Sequence, residues 1–246
     1  MTTYVLVPGF WLGGWAWRPV TGGLRARGHD VHPVTLTGLG DRVHLSRPEV
    51  DLDTHIDDVL NLLHYEDLHD VVLVGHSYAT QVITGVADRR PDLVRRLVYV
   101  DTGPLPDGAA QQDFEQPDGR AANARLVAEQ GGGWLLPPPL WRELAAGHPD
   151  VDEEILATLA NRAVPQPWAT AIAPAKLTGA WERLPRTAVL SSFTTEQTQQ
   201  LAATVPVCRH LASAGWRYVE LPTWHWPMFS RPADLTEILA GAGEEG

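Results

Sequence analysis

One cysteine, Cys208, stands in a chain of 246 residues, which rules out an internal disulfide and any cysteine-based zinc cluster. No apolar run approaches the roughly 18 residues a membrane helix needs. Basic runs are missing too. Nineteen Lys and Arg face 30 Asp and Glu, a net charge of -11, which argues against nucleic acid or an anionic membrane as partner. No His-x-x-x-His pair encloses a glutamate, so the zinc-hydrolase signature is absent. There is no internal repeat. Met1-Thr2-Thr3 carries no lysine or arginine, and Tyr4-Val5-Leu6-Val7 halts at Pro8-Gly9, so this end reads as a strand and not as an export signal. A cytoplasmic protein is the expectation, with secretion behind a leader already removed as the alternative.

What is present is a globular composition, 44% hydrophobic and 20% charged. Short apolar runs alternate with amphipathic segments. Tyr4–Val7 reads as a buried strand and Trp15–Arg27 as a helix that tolerates Pro19 in its first turn. Asp30–Thr35 reads as a second strand, ended by a loop with Gly38 and Gly40. Thr54 is the expected cap of a helix whose apolar positions Ile56, Val59, Leu60 and Leu63 share a face. Val71–Val74 and Leu97–Val100 are continuous apolar runs, as strands covered on both faces require, and a helix over Tyr78–Arg89 separates them. Strand, helix, strand at this spacing predicts βαβ units and a parallel sheet.

That regularity stops at about Gly103. Residues 104–183 are rich in Pro, Gly, Gln and Trp, with helical patches at Asn123–Gln130, Leu140–Ala146 and Asp152–Arg162. Strands resume at Thr187–Ser191 and Tyr218–Leu221, before a helix at Ala233–Ala240. The expected organisation is a core of residues 1–103 and 184–246, with residues 104–183 inserted as a largely helical cap.

Three segments carry chemistry. Val71-Val72-Leu73-Val74-Gly75-His76-Ser77-Tyr78-Ala79 is a strand, then Gly-x-Ser-x-Ala, then a helix. A serine in such a tight turn is held at the C-terminal edge of the sheet beside the positive end of the next helix. A serine merely capping that helix is the blander reading. Ala79 departs from the usual glycine at the fifth position. Pro8-Gly9-Phe10-Trp11, at the end of the first strand, offers backbone amides to a ligand. An oxyanion hole needs two donors, and the natural pair is the amides of Phe10 and Tyr78. Without Ser77 the same glycines would be an ordinary turn. His225, within Thr223-Trp224-His225-Trp226-Pro227-Met228, follows the last strand and can reach the serine. The other histidines fit packing or solvated roles, among them His55, His64 and His69, while His76 supports the turn.

Together these segments resemble the α/β-hydrolase superfamily, in its branch of small methyl-ester esterases, hydroxynitrile lyases and their bacterial relatives. The likeness is best over residues 4–102 and 184–240. It implies an α/β-hydrolase fold with a mostly parallel sheet, a serine nucleophile (Ser77), a histidine base (His225), an acid, two backbone donors, and neither cofactor nor metal. The family's lyases carry a threonine and a lysine where this chain has Gly9 and Trp226, which speaks against cyanohydrin cleavage. The family's usual acid follows the penultimate strand, yet Ser191-Ser192-Phe193-Thr194-Thr195-Glu196 has no aspartate at that place. Asp101, ending the strand Leu97–Val100, is the favoured acid, since some α/β-hydrolases draw it from there. Glu196 comes second and a two-residue Ser–His site third. Aspartate also caps loops well, and Thr102-Gly103-Pro104 follows.

Ten tryptophans suggest an aromatic cleft. Trp11, Gly9 and Trp224 are the expected pocket residues; Trp134, Trp141, Trp168 and Trp181 either line it or form the core of the cap. Asp41, Arg42 and His44 read as surface, and Cys208 as packing. The expected function is a cofactor-independent serine esterase that cleaves an ester, lactone or thioester of a small aromatic or hydrophobic molecule. A non-hydrolytic lyase or cyclase and a ligand receptor of the same fold are the alternatives. The expected partner is a small-molecule substrate, with no nucleic acid and no membrane, and a homodimer is left open.

Overall fold

The computed structural model describes residues 1–244. Strand β1 is Thr3–Val7. A 3-10 turn at Gly14–Trp17 precedes helix α1, Arg18–Ala26, so the segment expected as one helix is built in two pieces. Strand β2, Asp30–Pro33, and helix α2, Leu52–Tyr65, follow. The cap of α2 is Asp51 and not Thr54. The Asp51 carboxylate accepts the Thr54 amide at 2.9 Å, and the Thr54 hydroxyl accepts the Asp51 amide in return, so Thr54 closes the cap from inside the first turn.

Strand β3, Val71–His76, is buried along its whole length and leads through a two-residue turn into α3, Ala79–Arg89. Strand β4 runs Val94–Val100, three residues longer at its start than its apolar run suggested. Arg95 and Arg96 disguise that start: Arg95 leaves the sheet to pair with Asp70, and Arg96 is buried. Between β4 and the next sheet strand lie α4 (Pro117–Gln130), β5 (Leu135–Leu136), α5 (Trp141–Leu144), α6 (Glu153–Arg162), β6 (Gln166–Pro167) and α7 (Ala169–Ile172), with β5 and β6 pairing antiparallel. Strand β7 (Arg186–Leu190), α8 (Thr195–Thr204), β8 (Trp216–Glu220), α9 (Pro227–Ser230) and α10 (Pro232–Glu244) complete the described chain.

The sheet order is β2-β1-β3-β4-β7-β8, and every neighbouring pair is parallel. Alternation along the strands divides the core in two. Tyr4, Leu6, Val72, Val74, Val98 and Val100 pack with Leu235 and Leu239 of α10. Val5, Val7, Leu73, Leu97 and Tyr99 pack with Ile56 of α2 and with Val82 and Ile83 of α3. Each fully buried Val or Leu contributes about 1.5–3 kcal/mol, so both faces must be covered for the central strands to persist. Trp181, expected in the cap, belongs to this second core: it is 1% exposed, and its amide donates to Asp88 of α3.

The β3–α3 turn is as tight as its glycine suggests. A Cβ on Gly75 would stand 2.7 Å from the Ala79 carbonyl oxygen, a backbone atom that cannot move without opening the turn. Gly75→Ala is expected to cost about 1–3 kcal/mol of stability, the usual range for overpacking. Urea denaturation beside the parent protein checks this, and an unchanged midpoint would contradict it.

Candidate active site

Ser77 holds a left-handed backbone, φ 52°, a conformation costing a non-glycine residue about 1 kcal/mol or more. The neighbours enforce it. The Ser77 amide donates to Val100 O at 3.1 Å, and the Ser77 carbonyl accepts from the amide and hydroxyl of Thr80. On the other side Gly9 presses in so closely that a Cβ there would lie 2.8 Å from His76 Nδ1 and 3.0 Å from Ser77 Cβ. Gly9 is therefore a contact residue of the turn and not a wall of the pocket, and a threonine could not stand at its place without a backbone shift.

His76 is fully buried and donates from Nε2 to the His225 carbonyl at 2.8 Å, so Nδ1 is left unprotonated. Burial first, and the neighbouring His225 second, push its pKa down to about 3. A neutral ring thus tethers the loop after β8 to the serine turn.

Asp101 ends β4 with its own left-handed backbone, φ 55°. Its side chain is 1% exposed and accepts four hydrogen bonds. Oδ1 takes the amides of Ser191 and Ser192 at 2.8 and 2.7 Å; Oδ2 takes the Ser192 hydroxyl and, at 2.6 Å, His225 Nδ1. Burial alone would raise its pKa, but the hydrogen bond and charge of His225 and the bonds from Ser192 outweigh burial and hold the carboxyl below its ordinary value. Glu196 is exposed in the first turn of α8, and among the described residues His225 Nδ1 bonds to Asp101 alone. Ser77 and His225 line the same cleft, with no hydrogen bond closed between them. Such bonds commonly tighten only around substrate.

The amides of Phe10 and Tyr78 donate to no other group among the described residues, whereas the next amide along, Trp11, is spent on Gln166 Oε1 at 3.0 Å. The rings of Phe10 and Tyr78 pack 4.5 Å apart, which fixes the two donors relative to one another. Behind them sits an arrangement invisible in the sequence. Buried His55 donates from Nε2 to Thr37 O at 2.9 Å and accepts the Tyr78 hydroxyl at Nδ1, 3.0 Å away. Desolvation holds His55 below its ordinary pKa.

The cleft encloses about 230 Å³. Phe10, Trp11, Trp168 and Trp226 form its aromatic walls, with Gln112 and Asn123 at the polar edge. The Trp11 indole is pinned by its hydrogen bond to Leu136 O at 3.2 Å. Trp224 is not among these walls. It is 2% exposed, packs on Trp141 and Trp226, and donates to Leu144 O, so it reaches only a separate hollow behind His225. Trp226, two residues on, lines that hollow and the cleft as well, and the sequence offered no means of choosing between the two. Trp168 comes from the inserted segment, whereas Trp141 is packing. Arg42 pairs with Asp58 away from the cleft.

A model of the α/β hydrolase family matches residues 4–238, and the chain belongs to that family. Among curated proteins, the carbendazim hydrolyzing esterase of Nocardioides sp. (strain SG-4G) is 35% identical, the alignment covering 99% of this chain and 100% of that protein. Methylesterase 8 of Arabidopsis thaliana is 31% identical over 45% of this chain and 41% of its own length. Kinship with named esterases makes the chain an ester-cleaving hydrolase. Among solved structures, an extracellular α/β-hydrolase from a Paenibacillus species, described as sharing homology with tobacco salicylic acid binding protein 2, superposes with a TM-score of 0.83 at 21% identity over 100% of both chains. A pyrethroid hydrolase gives a TM-score of 0.73 at 23% identity, covering 99% of this chain and 98% of that one. These two likenesses show the fold. Among the described residues no helix is long and apolar enough to cross a membrane.

Buried, neutral His55 and His76 have a consequence for stability. Both have folded pKa values below the ordinary 6.5, so below that pH the unfolded chain binds protons that the folded chain refuses. Stability is expected to fall as pH drops from about 6.5 to 4.5, by up to ~1.4 kcal/mol per unit from His76, with a loss of the same sign from His55. Asp101 acts in the same direction at lower pH: its carboxyl is held below the ordinary value, so its contribution is lost only in more acidic solution. Urea midpoints at half-unit steps across that window test the sign. A flat curve would refute two buried neutral rings.

Proposed function

We propose that the chain is a cofactor-independent serine esterase acting through an acyl-enzyme on an ester, lactone or thioester of a small aromatic or hydrophobic molecule. The observation that carries this reading is the 2.6 Å bond from His225 Nδ1 to Asp101 Oδ2, at the edge of a cleft that Ser77 also lines. His225 takes the proton of Ser77 as its hydroxyl oxygen attacks the carbonyl carbon. Asp101 keeps the proton on Nδ1, leaving Nε2 free as the base, and stabilises the imidazolium that forms. The Phe10 and Tyr78 amides receive the oxyanion. Collapse expels the alcohol or thiol, which takes the proton back from His225, and water then repeats the sequence on the acyl-serine. The aromatic walls support an arene in the substrate. The crowding at Gly9 disfavours the threonine-dependent lyase alternative. A single cysteine, requiring no oxidising compartment, fits a cytoplasmic site of action.

Ser77→Ala should retain the fold and lose aryl-ester turnover by about 10³ or more, together with labelling by a fluorophosphonate. Near-parent turnover of every hydrolysed ester would refute the nucleophile. Asp101→Asn should cut turnover by up to about 10⁴, as the equivalent change does in a serine protease, whereas Glu196→Gln should do little. Steady-state kinetics of the two variants decides, and the reverse ranking would exchange the assignment.

A further inference from the structure

A second chamber also opens on Ser77 and His225. At about 430 Å³ it is larger than the aromatic cleft at about 230 Å³. Its chemistry also differs. Its walls include Phe114, Leu190, Leu201, Val205 and Leu211, with Phe193 beside the opening. Four of these six are aliphatic, and no tryptophan is among the lining residues. Phe193 is 48% exposed, an uncommon position for a large apolar ring, directly after the Ser192 that holds Asp101. Gln111 and Glu115 line both chambers, so the two spaces meet over the serine.

Resting on the serine-esterase reading above, we infer that the substrate is an ester with a sizeable apolar group on each side of its carbonyl: an arene among Trp11, Trp168 and Trp226, and a branched or medium-chain aliphatic group in the chamber beside α8. The reacting carbon must sit at Ser77, where the chambers join, so a substrate that fills only the aromatic cleft leaves the larger apolar space unused. A buried methylene strengthens transition-state binding about fourfold, and lengthening the aliphatic half should therefore raise kcat/KM until the chamber is full. The expected substrate is not a methyl ester.

Two ester series test this while holding the arene constant: 4-nitrophenyl esters from acetate to octanoate, and phenylacetates from methyl to hexyl. In at least one series kcat/KM should climb by about tenfold or more toward six carbons. Leu201→Trp, which fills the chamber, should flatten that rise, and Leu201→Ala should move the optimum to longer chains; thermal melts check that both variants fold. Should Leu201→Trp not fold, Val207→Trp tests the same loss of chain-length preference. If short esters turn over in a Ser77-dependent manner but rates stay flat or fall with length in both series, the two-chamber inference is overturned and the esterase reading stands. If no ester turns over and a small fluorophosphonate leaves Ser77 unlabelled, the esterase reading fails and takes the inference with it.

Discussion

A buried carboxylate needs partners, and Asp101, at the end of β4, obtains them from the ends of two further strands at once. Its amide donates to Val189 O on β7, its side chain gathers the two residues after β7, and its second oxygen meets the ring that follows β8. An isolated ionised carboxyl out of water is costly, whereas one that accepts four hydrogen bonds is held ionised. The loops after β4, β7 and β8 consequently cannot be arranged independently. The geometry at His225 follows from this one constraint, and His76 adds a second tether by holding the backbone of the same residue.

The loop after β7 shows how an acid can stand on a different strand without changing the chemistry. Where the family resemblance leads one to look for a carboxylate, this chain has Ser191 and Ser192, and both donate to the carboxylate one strand over. The position has exchanged charge for donors. Parallel neighbours make the exchange geometrically cheap, because β4 and β7 end at the same edge, with Val100 in register with Val189.

Much of this was legible in the sequence wherever a local rule acts alone. The run Val71–Val74 followed by Gly75-His76-Ser77 fixes strand, turn and serine together, because only small flanking residues fit the turn. Asp101 could be singled out because it ends the strand beside the serine's own, while the segment after β7 offers no aspartate. What escaped depends on packing across the fold. His55 looks like any surface histidine of a helix until the Thr37 carbonyl and the Tyr78 hydroxyl close on it. Trp224 and Trp226 are equivalent as letters; both are buried and both pack on Trp141, and only the fold shows that Trp226 lines the cleft with Ser77. The start of β4 was hidden by arginines that hydropathy counts as polar although Arg96 is buried.

Helix α10 returns to the strand with which the sheet begins. The Tyr4 hydroxyl donates to Leu239 O at 2.9 Å, the Thr2 hydroxyl reaches Gly243 O, and a Cβ on Gly243 would run into the Tyr4 hydroxyl oxygen. The face of β1 that carries Tyr4 and Leu6 packs early with Trp17, Val20 and Leu24, yet its cover stays incomplete during synthesis until residues 232–244 have emerged from the ribosome. The central sheet can assemble earlier, but it does so with an apolar flank open to other chains, and the contact of longest sequence separation is the one that seals it.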